Sequence, residues 1–394
     1  MRKPGVVLTF VLFAGTVGAF ADPKSIDCGK KSLADAVGDA DKNQNISFTG
    51  VCAGPIVIRT DGVTITGIGS AIVDGGGSQD AITIAGAHGV SLNNIEVRNG
   101  LDGIVGSNGA HFALTAVNSH DNRVFGISLQ TTSSAVLSDV VASRIGVHGL
   151  DIETGSAATV TKSLAASFNG VFGINVNGSS ITFSRATVTA NSNALGIQIA
   201  TGANAFINDS ATVINVNNNH ATGLTVVSGA HMVSFGGTIN AFGNPVNGVS
   251  VNSKGGLDLD AASTLNSSNN GDGILMQEAS VMTVFNTPQF SGAPGFTTIN
   301  VHNNTGAGLS IHTGSTLTLV NQARINSNQN TLGGLVADNG VGLTLVNSNI
   351  AANSGTDIQL TFGSRADLQT LAFGSYTCDK TVLVRGTSGI ICPH

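Results

Sequence analysis

GVFGINVNGSSITFSRATVTANSNALGIQI, Gly170 to Ile199, repeats itself: the Gly173-Ile174 step returns 23 residues later as Gly196-Ile197. Following that step outward gives a ladder of small residues at Gly103, Gly126, Gly149, Gly173, Gly196, Gly223, Gly248, Gly273, Gly308 and Gly334, with Asp357 in the same slot at the end. Nearly all the gaps lie between 23 and 27 residues, and one is 35. A period near 24 is too short for a pair of helices. It is also too irregular for leucine-rich repeats, whose consensus leucines and asparagine are missing. It fits one turn of a parallel β-helix.

Within each turn the apolar pattern has the period of a strand. Leu150 and Ile152 fall on one face with Asp151 and Glu153 on the other, and Ile174/Val176 against Asn175/Asn177 repeats this one turn later. Similar alternation at Thr159-Val160-Thr161, Ile181-Thr182-Phe183 and Thr316-Leu317-Thr318-Leu319 implies two or three short strands per turn. Asparagine stands four places before the indexed residue at Asn122, Asn169, Asn219, Asn244, Asn269, Asn304, Asn330 and Asn353. A stack of such residues holds a sharp corner, because Asn tolerates left-handed backbone and its amide bonds to the amide of the next turn. The expected fold is therefore all-β: a single-stranded right-handed parallel β-helix, or solenoid, of about 13 coils, some 60 Å long.

Composition agrees. Charged residues make up 10% and aromatics 5% of the 394-residue chain, which holds 52 glycines. That is too apolar for a disordered chain and too Gly-rich for a helical bundle. The net charge of −6 excludes nucleic acid as a partner.

The ends read differently from the middle. Arg2 and Lys3, the apolar run Val6 to Val17 and Ala19-Phe20-Ala21 make residues 1–21 a signal peptide, cleaved before Asp22, so the mature chain is expected in the periplasm or outside the cell. Residues 22–53 are expected to cap the first coil, 54–368 to form the β-helix and 369–394 to close the other end. Ser32 offers a helix cap, with Leu33, Ala36, Val37 and Ala40 on one stripe behind it. Cys28 with Cys52 and Cys378 with Cys392 are natural local disulfides for an exported chain. No CxxC or HxxxH occurs, so neither a metal site nor a cofactor is expected. Asp74 with Gly75 to Gly77 reads as a tight corner. The extra residues between Gly273 and Gly308, with Pro288, Phe290 and Pro294, read as a protruding loop.

The exported N-terminus, the IVDGGG turn at Ile72 to Gly77 and the Asn-x-x-x-Gly-[Ile/Leu] coils resemble the right-handed parallel β-helix proteins of the pectin-lyase-like superfamily. That superfamily includes polysaccharide lyases, glycoside hydrolases, uronate epimerases, phage tailspikes and non-catalytic surface proteins. The resemblance covers nearly the whole mature chain and implies the fold, not the reaction. The polygalacturonase-like elements Asn-Thr-Asp, Asp-Asp, Gly-His-Gly and Arg-Ile-Lys are not complete anywhere. The nearest fragment is Arg144-Ile145-Gly146-Val147-His148-Gly149. No pectate-lyase pattern of clustered calcium-binding Asp is visible.

Charge concentrates between Glu96 and Glu153, and this region supplies the candidate site. Asp151 and Glu153 alternate on one strand, which would hold their carboxylates about 6.5 to 7 Å apart, near the spacing inverting glycosidases use. His148 would transfer a proton near neutral pH, and Arg123 and Arg144 would hold a uronate carboxylate. Gln130 below and Asn175 and Asn177 above would line the same strip. The competing reading is an exposed, ion-paired face. His302 and His312 are expected on the surface, and neither helical Ser/His/Asp nor phosphate-loop elements are found. Two function classes result: an extracellular polysaccharide-binding protein, with a divergent glycoside hydrolase, lyase or epimerase activity on that strip, or a non-catalytic surface, adhesion or spacer protein.

Overall fold

The computed structural model describes residues 23–287 and 295–393. The segments expected as a signal peptide, 1–21, and as a protruding loop around Pro288, Phe290 and Pro294 lie outside them. Every strand pairing is parallel, and the coils stack into a solenoid of fourteen turns, one more than expected.

One face of the solenoid is a sheet of fourteen short strands in sequence order, from Ile56–Ile58 to Tyr376–Cys378. In it Ile127, Leu150, Ile174, Ile197, Leu224 and Val249 occupy one register column. Ile274, Leu309, Leu335 and Ile358 continue it. These residues follow the indexed glycines, and all are buried. The other two faces form a second sheet of 23 strands. Early coils cross both faces with one long bent strand, such as His88–Arg98 or Ser134–Ser143. From Ala157 to Asn328 each coil uses two short strands, as in Ala157–Val160 and Ser163–Ala165, which pair separately with the long strand below, and the last coils return to long strands, Gly342–Ile350 and Arg365–Phe373.

The repeated glycine and the asparagine column form one packing device. A Cβ on Gly149 would lie 2.6 Å from Nδ2 of Asn169 and 2.7 Å from the carbonyl oxygen of Gly173, both in the next coil. No side chain fits there, so the glycine is required by close approach. The asparagine ladder runs unbroken through Asn169, Asn193, Asn219, Asn244, Asn270, Asn304, Asn330 and Asn353. Each backbone N–H donates to the Oδ1 of the next member at 2.8 to 3.1 Å. Asp357 ends it by accepting from the Asn353 N–H at 3.0 Å.

Two corrections follow. The ladder member near Gly273 is Asn270, not Asn269. Asn269 is the left-handed corner residue just before it, with φ 56°, as Ser192 (57°) precedes Asn193 and Asn303 (59°) precedes Asn304. Asn122 is separated from the rest because buried Ile145 takes the slot between, its N–H donating to Asn169 Oδ1.

Ser32 accepts the Asp35 N–H at 3.1 Å at the start of the helix Leu33–Gly38, which buries Leu33 and Val37. The disulfides are Cys28–Cys52 and Cys378–Cys392. The parallel ladder extends beyond 54–368, taking in Lys24–Asp27 and Asn45–Ala53 at one end and Leu383–Gly386 at the other, because unpaired strand edges accept whatever extended segment lies over them. Among the described residues no helix is long and apolar enough to cross a membrane.

Candidate functional site

The strand His148–Glu153 lies between Phe125–Leu129 and Phe172–Asn177 in the fourteen-stranded sheet. Leu150 and Ile152 enter the core, so the intervening Asp151 must face outward. Register places Asp151 between Ser128 and Asn175, and Glu153 beside Asn177. Gln130, which follows Leu129, stands in the Glu153 column. The strip anticipated from alternation is thus assembled, and its amides bond within a coil and between coils. Gln130 Nε2 donates to Ser128 Oγ at 2.9 Å, Asn175 Nδ2 to Asp151 Oδ1 at 2.8 Å, and Gln198 Nε2 to Asn175 Oδ1 at 3.3 Å.

Asp151 is the unusual member. It faces outward, yet it is only 1% exposed, and its Oδ2 has no hydrogen-bond partner among the described residues. Burial pushes its carboxyl up to about 7. The Asn175 amide opposes that rise, while the hydrogen bond and charge of Glu153 and the charge of Asp102 add to it. Asp151 is therefore more readily protonated than a free carboxyl, through burial first and Glu153 second.

His148 does not take the proton-transfer role expected near neutral pH. Its ring stacks between Phe125 and Phe172, with centroids 5.4 and 4.9 Å away, and burial pulls its pKa down to about 4. At neutral pH it is an uncharged member of an aromatic ridge, with Nδ1 accepting the Phe172 N–H at 3.3 Å. Asp102, which sequence reasoning left among the general charge cluster, belongs to the site instead. It is 8% exposed, accepts the Phe125 N–H at 3.0 Å and is raised to about 6, chiefly by burial. Its only sequence signal is its place beside Gly103 in a coil neighbouring the Asp151 strip.

The two arginines are not brought to this strip. Arg144 makes a two-pronged pair with Asp121, at 2.9 and 3.0 Å, which holds that carboxyl down at about 2. It lines an open groove at the corner with Phe168, Asn169 and His220. Arg123 donates to the Gly77 carbonyl at 3.0 Å. Around Arg144 runs an ionic chain that spacing alone did not show: Asp74 to Arg98, Arg98 to Glu96, Glu96 to His120 and His120 to Asp121, with contacts of 2.6 to 3.2 Å across consecutive coils. The competing ion-paired reading therefore describes this corner, and the uronate clamp is corrected. Asp74 also accepts the Gly76 N–H at 3.1 Å, as a tight corner does.

The family model described as right handed beta helix region matches residues 45–211. No curated protein matches the sequence. Among solved structures, the A-module of the mannuronan C-5 epimerase AlgE6 from Azotobacter vinelandii superposes with a TM-score of 0.41 at 14% identity, covering 89% of this chain and 92% of its own. The A-module of AlgE4 from the same organism gives 0.37 at 12%, covering 90% and 92%. The receptor binding domain of the siphovirus 9NA tailspike gives 0.34 at 10%, covering 93% and 76%. With its parallel coils, glycine column and matched region, the chain is a right-handed parallel β-helix.

Proposed function

We propose that the chain binds a neutral, hydroxyl-rich polysaccharide along the outer face of the fourteen-stranded sheet, with Asp151 as the group that gives and takes a proton there. The observation that carries this reading is the Asp151 carboxyl, buried, raised to about 7 and left with one oxygen unpartnered beside Glu153. A carboxyl held in that state is the kind enzymes use as a general acid at neutral pH. The amides of Gln130, Asn175 and Gln198 offer hydrogen bonds to hydroxyls over successive coils, and the Phe125, His148 and Phe172 ridge offers an apolar edge beside them. Asp80, Asp102, Asp151 and Glu153 make this surface acidic while Arg123 and Arg144 are engaged elsewhere, which favours a neutral glycan over a uronate polymer. Two disulfides suit an exported protein.

The test is a glycan array of neutral and uronate polysaccharides, followed by assays for new reducing ends or unsaturated sugars. Wild type should retain neutral glycans, and the double variant Asp151→Asn/Glu153→Gln should lose binding or turnover at pH 6 without a lower melting temperature. Undiminished retention by the double variant refutes the site. A second reading, a non-catalytic spacer, is favoured by the uninterrupted eight-residue asparagine ladder, which stiffens the rod whatever it binds. It predicts no retention of any glycan.

A further inference from the structure

Six coils beyond Asp151 on the same face, three side chains from two adjacent coils meet in an order that the polysaccharide reading does not use. Ser310 and His312 are alternate residues around the end of the strand Ala307–Ile311, so both side chains project outward while Leu309 and Ile311 enter the core. Ser310 Oγ lies 2.8 Å from Nε2 of His312. Nδ1 of the same ring lies 2.9 Å from Oδ1 of Asp338, which stands one coil further along. The Asn339 amide donates to that same Asp338 oxygen at 2.8 Å, fixing the carboxylate. Sequence reasoning placed His312 on the surface. In the fold its ring is only about a quarter exposed and both nitrogens are engaged.

The tautomer follows from the partners. An Asp338 carboxylate only accepts, so Nδ1 carries the proton and Nε2 presents its lone pair to the Ser310 hydroxyl. A hydroxyl, a base within hydrogen-bond reach of it and a carboxylate orienting that base are the parts of an activated serine, recognised by geometry rather than by chain order or fold. In the register column of Ser310, Leu275 and Val336 stand on either side, one coil away each, so the hydroxyl is flanked by apolar side chains. A small apolar acyl group such as acetyl suits those neighbours better than a bulky or charged one.

We infer that Ser310, His312 and Asp338 form an acyl-transfer site that cleaves small O-acyl esters. Ser310 Oγ attacks the ester carbonyl as His312 Nε2 takes its proton. The C–O bond to the alcohol breaks, and His312 returns the proton to the departing alkoxide. Water then attacks the acyl-serine by the same base, releasing the carboxylic acid and restoring the hydroxyl. Asp338 is a positioning residue that holds the imidazole in the required tautomer. The backbone amides of this strand are drawn into ladders on both sides, so no ready-made pair of N–H donors meets the oxyanion. Turnover should accordingly be slow and confined to esters with good leaving groups, since even one missing donor costs roughly 100- to 1000-fold.

The test uses the full disulfide-bonded chain with a fluorophosphonate probe and with p-nitrophenyl acetate. Expected are a single covalent adduct, located by peptide mass spectrometry on Ser310, and release of p-nitrophenol that the adduct blocks. Ser310→Ala should carry no adduct. His312→Ala and Asp338→Asn should label at least 100-fold more slowly with unchanged melting, whereas Asp338→Glu, which restores the carboxylate, should recover most of the rate. Asp151→Asn/Glu153→Gln should label like wild type, which separates this site from the glycan face. No adduct on the wild-type chain, an adduct on another residue, or labelling of Ser310→Ala at the wild-type rate overturns the inference. Because the wild-type adduct is located directly, a variant that misfolds does not decide the matter. Labelling of Asp338→Asn at the wild-type rate would overturn the positioning role.

Discussion

Replacing Asp151 with Asn should make the protein more stable as pH rises, which is the reverse of what loss of a carboxylate from a salt bridge would do. The carboxyl is 1% exposed and raised from the usual 3.8 to about 7, mainly by burial. The folded state therefore binds this proton more tightly than the unfolded chain. The contribution to stability is complete below about pH 4 and is lost as pH rises from there through about 7. Three pK units correspond to about 4 kcal/mol, an upper figure because part of the shift comes from Glu153 and Asp102 rather than from burial. An Asn at 151 can still accept the Asn175 amide and has no charge to bury. The advantage of Asp151→Asn over wild type should be small at pH 4 and reach a few kcal/mol at pH 8. Because a solenoid can open coil by coil, hydrogen exchange at the Leu150 and Ile152 amides is the suitable assay, with denaturant titrations at pH 4, 6 and 8 beside it. A difference that does not change with pH, or an Asn variant less stable than wild type at pH 8, would refute the reasoning.

Three further outcomes are expected. His148 carries the opposite dependence. Its pKa is lowered from 6.5 to about 4, so its contribution is complete above about pH 6.5 and lost as pH falls through 4. His148→Phe continues the Phe125 to Phe172 stack and should flatten that acid limb in melting curves, and parallel curves for the two proteins would contradict this. Asn270→Ala strands the Asn244 N–H, which now donates to Asn270 Oδ1, and should cost about 2 to 3 kcal/mol in denaturant titration. Asn269→Gly, at the left-handed corner, should stay within about 0.5 kcal/mol of wild type, and equal costs at the two positions would remove the ladder assignment. Gly149→Ala drives a methyl into the Asn169 amide and the Gly173 carbonyl. It should cost about 1 to 3 kcal/mol, and an unchanged midpoint would show that the coils do not approach as closely as described.

The chain by itself determined the axis of the molecule. A parallel coil of short strands must return to the same wall at each turn, so its small residue, its apolar pair and its corner amide recur at nearly constant spacing. That is why the column from Ile127 to Ile358, the outward placing of Asp151 and Glu153 and their neighbours Ser128, Gln130, Asn175 and Asn177 were legible. Corners are less regular than walls. A turn shorter by one residue moved the ladder amide from 269 to 270 and brought in Asn193, and spacing cannot register such a shift.

Only the tertiary structure decided which outward side chains meet. Partners in adjacent coils are more than twenty residues apart in sequence and about 4.8 Å apart in space. Side-chain direction at a corner depends on local backbone twist, which sent Arg144 to Asp121 and Arg123 to Gly77 rather than to the acidic strip. The same separation hid His312 from Asp338, 26 residues on and one coil away. Burial, too, is collective. Asp151 carries the pattern of an exposed residue, and only the stacked coils bury it and raise its carboxyl.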